Sequence, residues 1–429
     1  MADEKNWIRE AMFYHIYPLG FTGAPLRNEG EATAGGRILE VLDWIEHFKE
    51  LGINAIYFGP IFESVSHGYD TTDYYQTDSR LGSKEDFKKV FTALHENGIR
   101  VIVDGVFNHV GRKFFAFLDV QKNLEQSDYK DWFCNLNFSW QSPLGDSFSY
   151  ENWHGAAELV KLNLRNPAVC EHLLGAVGMW MDELGIDGLR LDAADCVDRE
   201  FFKRLHSFTK GKREDFWLMG EIIHGDYRVW ANDEMLDSVT NYECWKGIYS
   251  SHNDKNYFEI AYSLKRQFGQ GGLYENLCLY NFLDNHDVNR IGSLLKQREN
   301  LKNAYTLLYM MPGIPSIYYG SEWGIEGVKG QGMDADLPLR PKLDLEEMCA
   351  QETDLPAHIR ELAKIRKESD AVKYGAYDEV LVRNKQFVFA RRSGEQYKVI
   401  ALNLTDHAET LHFSYQGKEY EVLLEAYTS

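Results

Sequence analysis

Eight short runs rich in apolar, β-branched and aromatic residues recur along the chain, and amphipathic segments with helical spacing lie between them. The runs are "MFYHIYPLGF" (12–21), "INAIYFGP" (53–60), "RVIVDGVFNH" (100–109), "GLRLDAAD" (188–195), "FWLMGEII" (216–223), "SVTNYE" (238–243), "LYNFLDNHD" (279–287) and "IPSIYYGSE" (314–322). Between them, "RILEVLDWIEHFKEL", "SKEDFKKVFTALHENG", "NPAVCEHLLGAVGMWMDELG" and "ENLKNAYTLLYMM" read as helices, the second opening on a Ser cap and the third on a first-turn Pro. Alternating strands and helices make βα units, and eight of them predict an α/β fold, a closed parallel (β/α)8 TIM barrel, rather than an open sheet. A chain of 429 residues holds such a barrel, roughly 250 residues or more, with additions.

Two stretches break the alternation. Residues 110–163 are irregular and rich in aromatics, Asn, Asp and Ser, which predicts a small inserted subdomain after strand three. From residue 371 to 429, short alternating strands separated by turn residues predict a C-terminal antiparallel β-sandwich. The barrel is then assigned to 1–109 and 164–370.

A net charge of −20 repels nucleic acid and anionic lipid, so neither is expected as a partner. No run of about 18 uncharged apolar residues occurs, and the charged start "MADEKNWIRE" lacks the apolar core of a signal peptide, so a cytoplasmic protein without membrane association is expected. The six cysteines are scattered without zinc-ligand spacing and read as reduced structural thiols. An aromatic share of 14%, with clusters such as "YDTTDYY", "FSWQ" and "SYENWH", suits flat, weakly polar ligands such as sugar rings.

In "GLRLDAAD", Leu189 and Leu191 share one face of the strand while Arg190 and Asp192 share the other. A charged pair facing a sheet interior is costly unless the site uses it. Asp104, Asp192, Glu221 and Asp287 fall at or near the C-terminal ends of strands three, four, five and seven, the rim where barrel enzymes keep their chemistry. Paired carboxylates of unequal pKa are what glycosidic cleavage requires, and Arg190 is placed to keep Asp192 ionised. A lone acid at a strand end is more often a cap or an ion-pair partner; four together, with His109 and His286, favour a site. Magnesium ligands of an enolase-type barrel are the competing chemistry, weakened here because strands two and six carry no lysine.

"DGVFNH" (104–109), "GLRLDAAD" (188–195), "GEIIH" (220–224) and "FLDNHD" (282–287) together resemble, in order and strand position, the four sequence blocks of the α-amylase family of retaining glycoside hydrolases. "LVKLNLRNP" (159–167) is similar to the block of the neopullulanase, cyclomaltodextrinase and maltogenic amylase branch. The resemblance implies Asp192 as nucleophile, Glu221 as general acid and base, and Asp287 as transition-state stabiliser. It implies that Arg190, His109 and His286 bind the sugar at the cleavage point, with Asp104 behind them and His224 closing the third block. "SHGYDTTDY" resembles the loop after strand two, with Tyr69 stacking on that sugar and His67 and Asp70 nearby; "DLPLR" resembles the loop after strand eight, with Asp336 and Arg340 gripping the next sugar.

The implied function is hydrolysis of α-1,4 bonds, with α-1,6 bonds also open, in maltodextrins or related α-glucans by double displacement. A 4-α-glucanotransferase with the same residues and an inactive carbohydrate-binding scaffold are the alternatives. Ile223 stands where the branch usually has Trp, and Asp195 where many amylases have an amide or a basic residue, which leaves the bond preference undecided. The branch's N-terminal dimerisation domain is not seen, so a monomer and a homodimer are equally expected. No cofactor is implied; Asn108 matches a calcium ligand of many amylases, but no acidic cluster in the insertion completes a site, so no metal is expected.

Overall fold

The computed structural model describes residues 7–30, 36–332 and 334–429. The eight expected runs form eight parallel strands: β1 (Phe13–Ile16), β2 (Ala55–Phe58), β3 (Arg100–Gly105), β4 (Gly188–Leu191), β5 (Trp217–Gly220), β6 (Ser238–Val239), β7 (Tyr280–Phe282) and β8 (Ile314–Tyr318). Each strand pairs with its sequence neighbour, and β1 pairs with β8. A parallel bridge from Thr240 to Tyr280, with the Asn241 N–H donating to the Tyr280 carbonyl at 2.8 Å, closes the ring between β6 and β7. The structure is thus a (β/α)8 barrel, as the alternation predicts.

The period of two along the strands divides the apolar side chains into two cores. Phe13, Ala55, Tyr57, Ile102, Trp217, Met219, Phe282 and Ile314 belong to one cluster that fills the barrel. Leu189 and Leu191 belong to the other, packed against the surrounding helices, so Arg190 between them faces inward. The helices follow their local signals. Ser83 and Asp86 form a reciprocal capping box on Lys84–Glu96, and Asn166 with Pro167 opens Pro167–Met179. The segment expected as one helix over 37–51 begins as a 3-10 helix (Arg37–Trp44) before turning α-helical (Ile45–Glu50). Its buried residues Ile38, Val41 and Trp44 are spaced three apart, which is the 3-10 repeat rather than the α repeat.

The stretch after strand three contains a three-stranded sheet (His109–Gly111, Asn152–Trp153, Ala156–Lys161) and a helix (Phe115–Asn123) around Phe117, Phe133, Phe148 and Tyr150. It packs on the Tyr69 loop so closely that a Cβ on Gly111 would lie 2.4 Å from the Asp70 carbonyl oxygen. A hairpin not anticipated from the sequence, Phe62–Ser64 with Thr71–Thr77, supports that loop. At the C-terminus, a three-stranded and a two-stranded antiparallel sheet share a core of Val388, Leu411, Phe413 and Leu424. The buried Arg391 of this domain donates to the Met310 carbonyl at the C-terminal end of Leu301–Met310, tying the domain to the barrel, beside Arg366, which donates to the Tyr309 carbonyl. Among the described residues, no helix is long and apolar enough to cross a membrane.

Candidate active site

The register of neighbouring strands places Asp104 of β3 directly beside Arg190 of β4. Arg190 is 3% exposed and its guanidinium serves three carboxylates at once. Nη1 donates to Asp104 Oδ1 and to Asp192 Oδ1, each at 2.9 Å, and Nη2 lies 2.9 Å from Glu221 Oε2. Asp104, 1% exposed, also accepts from the hydroxyls of Tyr57 (2.7 Å) and Tyr69 (3.0 Å). The arrangement answers the cost of burying these charges: one planar cation neutralises and orients several anions that all open on the barrel mouth.

The backbone after the nucleophile candidate is held in an unusual conformation. Ala193 has φ 42° and ψ 47°, a left-handed geometry that costs a residue with a Cβ on the order of 1 kcal/mol. Its N–H donates to Glu221 Oε2 at 3.1 Å. This turn brings two consecutive residues, Asp192 and Ala193, to one corner of the mouth beside Arg190 and Glu221.

Asp287, beyond β7, meets a second set of cations. Its Oδ2 lies 3.0 Å from His286 Nε2 and its Oδ1 accepts from Arg340 Nη2 at 2.9 Å. Arg340 also donates to Asp336 Oδ2 at 3.2 Å and to the His286 carbonyl at 3.0 Å, and its guanidinium lies 4.4 Å from the Tyr17 ring centroid. The loop after β8 is thereby joined to the end of β7. Tyr69 contacts His286 through its hydroxyl, and its ring lies parallel to the imidazole at 5.5 Å.

The two acids flanking the mouth are driven in opposite directions. Burial pushes the Asp192 carboxyl well above the usual carboxylate range; Arg190 pulls it down, while the charges of Glu221, Asp104 and Asp287 push it further up. Arg190 pulls in the direction expected of it, toward the ionised form, and burial outweighs that pull. Burial also raises Asp287, but His286, Arg340 and Arg190 overcome it and hold the carboxylate well below the usual range. Burial, and then the charge of His67, bring His109 down to about 3, so its ring is neutral at working pH. Its Nδ1 pairs with the Asn108 amide nitrogen at 3.1 Å, which leaves Nε2 carrying the hydrogen; that atom is buried without a hydrogen-bond partner, 3.9 Å from Asp192 Oδ2.

The remaining expected residues divide. Asp70 is buried and accepts from both the N–H and the hydroxyl of Ser66, so it holds the Tyr69 loop, with His67 Nδ1 accepting from the Tyr69 N–H. His224 lies exposed on the rim. Asn108 Oδ1 is buried without a partner, but no three His, Cys, Asp or Glu side chains gather as a metal cage among the described residues. Asp146 of the insertion is already held by Arg112, Gln121 and Ser142. These residues do not supply the six to eight oxygens calcium takes, and no step below uses a metal.

The structure adds residues that sequence reasoning did not assign. Tyr17, the first residue past β1, packs under Arg340 and parallel to His286. Tyr242, three residues past β6, donates to Glu221 Oε1 at 3.4 Å and accepts from Asn285 Nδ2 at 3.0 Å. Their positions just beyond strand ends are the signal that singles them out.

The chain is similar to known proteins over most of its length. The family described as "Alpha amylase, catalytic domain" matches residues 15–361. A cyclomaltodextrinase from a Bacillus species is 31% identical over 428 residues, covering 94% of this chain and 74% of that protein. The intracellular maltogenic amylase of Bacillus subtilis is 31% identical over 386 residues, 86% of this chain and 63% of its own. Among solved structures, the ligand-free cyclic alpha-maltosyl-(1→6)-maltose hydrolase from Arthrobacter globiformis superposes with a TM-score of 0.85 at 26% identity, covering 99% of this chain and 98% of that one. With a closed barrel, an acid-lined mouth and a match over most of its length, the chain belongs to the alpha-amylase family of glycoside hydrolases.

Proposed function

We propose that the protein hydrolyses α-1,4-glucosidic bonds of cyclic and short linear maltodextrins with retention of the anomeric configuration. The observation that carries the reading is the single Arg190 guanidinium shared by Asp104, Asp192 and Glu221. Retaining enzymes keep their two carboxyl groups about 5–5.5 Å apart, whereas inverting enzymes need about 6.5–9.5 Å to admit a water. Asp192 Oδ1 and Glu221 Oε2 lie 2.9 Å from the two adjacent amino groups of one guanidinium, which supports the short spacing.

In this mechanism Asp192 attacks the anomeric carbon while Glu221 gives its proton to the leaving glycosidic oxygen. Glu221, now a base, takes a proton from water, and the resulting hydroxide breaks the bond between the sugar and Asp192. Asp287, held ionised by His286 and Arg340, offsets the positive charge of the oxocarbenium-like transition state. His109 donates from its free Nε2 to a sugar hydroxyl, and Tyr69 offers its ring to the sugar face. Asp336 and Arg340 lie beside Asp287, where they meet the neighbouring sugar. Two of the relatives above are named for cyclic glucans, which supports a ring as substrate, and the maltogenic relative's name supports an intracellular setting.

Product analysis by NMR and chromatography tests this. A cyclomaltodextrin is expected to yield short linear sugars whose reducing ends are first released as the α-anomer. A β-anomer as first product would overturn retention, and maltotriose giving sugars longer than itself at early times would replace hydrolysis by transfer.

The pH dependence follows from Asp192. The nucleophile works ionised, and its pKa is raised, so kcat/KM of the free enzyme falls as pH drops through a value above the ordinary Asp figure of about 3.9. A pH profile with its acidic midpoint at or below about 4 would contradict the burial argument.

A further inference from the structure

We propose that Tyr242, held by Asn285, is a positioning residue that fixes the proton-bearing oxygen of Glu221. The inference rests on the reading of Glu221 as general acid. The two oxygens of Glu221 have different surroundings. Oε2 accepts from the Ala193 amide at 3.1 Å and is ion-paired with Arg190, lying 2.9 Å from Nη2. An oxygen that already accepts an N–H and faces a guanidinium is a poor seat for a hydrogen, so the transferable proton belongs on Oε1. That is the oxygen that faces the Tyr242 hydroxyl at 3.4 Å.

The hydroxyl has little freedom in how it points. Asn285 Nδ2 donates to it at 3.0 Å, which occupies one lone pair and turns the hydroxyl hydrogen toward Glu221. Asn285 is itself held, because its Oδ1 accepts from the N–H groups of Asp287 (2.8 Å) and Val288 (3.1 Å). The ring is clamped edge-on between Phe282, at 4.9 Å, and Trp245, at 5.6 Å. Tyr242 opens the helix Tyr242–Asn253, whose cap Asn241 is fully buried and hydrogen-bonded to Gln267 and Asn281. A rigid chain thus runs from the turn carrying Asp287, through Asn285 and Tyr242, to the acid. A separation of 3.4 Å is long for a working hydrogen bond, and such contacts tighten once substrate fills the site. Tyr242 keeps its own proton throughout: burial, and then the charge of Glu221, push its hydroxyl well above the usual tyrosine range.

Tyr242→Phe removes the hydroxyl and keeps the ring that Phe282 and Trp245 clamp. Two substrates separate positioning of the acid from general damage. Cleavage of maltotriose needs a proton on its leaving oxygen, whereas α-maltosyl fluoride loses fluoride without full protonation. The quantity compared is kcat/KM, which reports the steps up to formation of the glycosyl-enzyme. Tyr242→Phe is expected to lower kcat/KM about tenfold on maltotriose and less than about twofold on the fluoride, the scale of one hydrogen bond to a charged group. An equal loss on both substrates, or no loss on either, would overturn the proposal. Glu221→Gln, measured alongside, should show the same split on a larger scale. If Glu221→Gln shows no split, the assignment of the acid itself fails; if it does and Tyr242→Phe does not, only the role of Tyr242 fails.

Discussion

Asp192→Asn is expected to lower kcat on maltodextrins by about 10⁴-fold or more while leaving the protein folded and able to bind its substrate. An amide of the same shape still accepts from Arg190, so the packing around the mouth stays in place. It cannot form the glycosyl ester on which a double displacement depends. Arg190 remains paired with Asp104 and Glu221, so no buried cation is left alone. Steady-state kinetics would read the loss, and calorimetric titration with a cyclomaltodextrin would show affinity within about tenfold of the parent. Activity within tenfold of the parent enzyme would remove Asp192 from the chemistry.

Arg190→Met is expected to damage stability as well as activity. The guanidinium is the shared partner of three carboxylates, all in a site almost closed to solvent. Removing one member of a buried ionic group leaves uncompensated charge and costs about 3–5 kcal/mol. The sign of its pH dependence follows from the same cause. Without the cation's pull, burial and the neighbouring carboxylates push the Asp192 carboxyl further toward its protonated form in the folded state. A raised folded-state pKa supports stability at acid pH and loses it as pH rises, so the deficit relative to the parent should widen toward neutrality and narrow toward acid. Urea unfolding at several pH values measures this. A loss of under about 1 kcal/mol at neutral pH would mean that the carboxylates draw their compensation from elsewhere. Lysine is not an adequate replacement, because a point charge cannot reach Asp104 and Asp192 from one nitrogen and Glu221 from another.

Much of this site is written in short local patterns. The alternation in "GLRLDAAD" places Arg190 and Asp192 inward before any coordinates are known, and the order of eight strand runs is enough to put Asp104, Asp192, Glu221 and Asp287 on one rim. Helix boundaries such as Ser83 and Asn166 are equally local, since a cap is satisfied by residues two or three positions away. Other features needed the folded chain. The 3-10 start at Arg37 follows from which residues the barrel buries, and the hairpin under Tyr69 from what the loop must rest on.

Periodicity in a sequence is one-dimensional: it assigns a face and an end to each strand, and those assignments survive whatever the neighbours are. Distances between strands, and the dielectric around a charge, belong to closure of the ring. Only there do Asp104, Asp192 and Glu221 meet on one guanidinium, Ala193 adopt its left-handed turn, and Tyr242 reach from β6 to the acid after β5. Only burial decides that Asp192 is pushed up against the pull of its own arginine while Asp287 is held down. The candidate site residues were legible in the chain; their pairing and their protonation were set by the space they close upon.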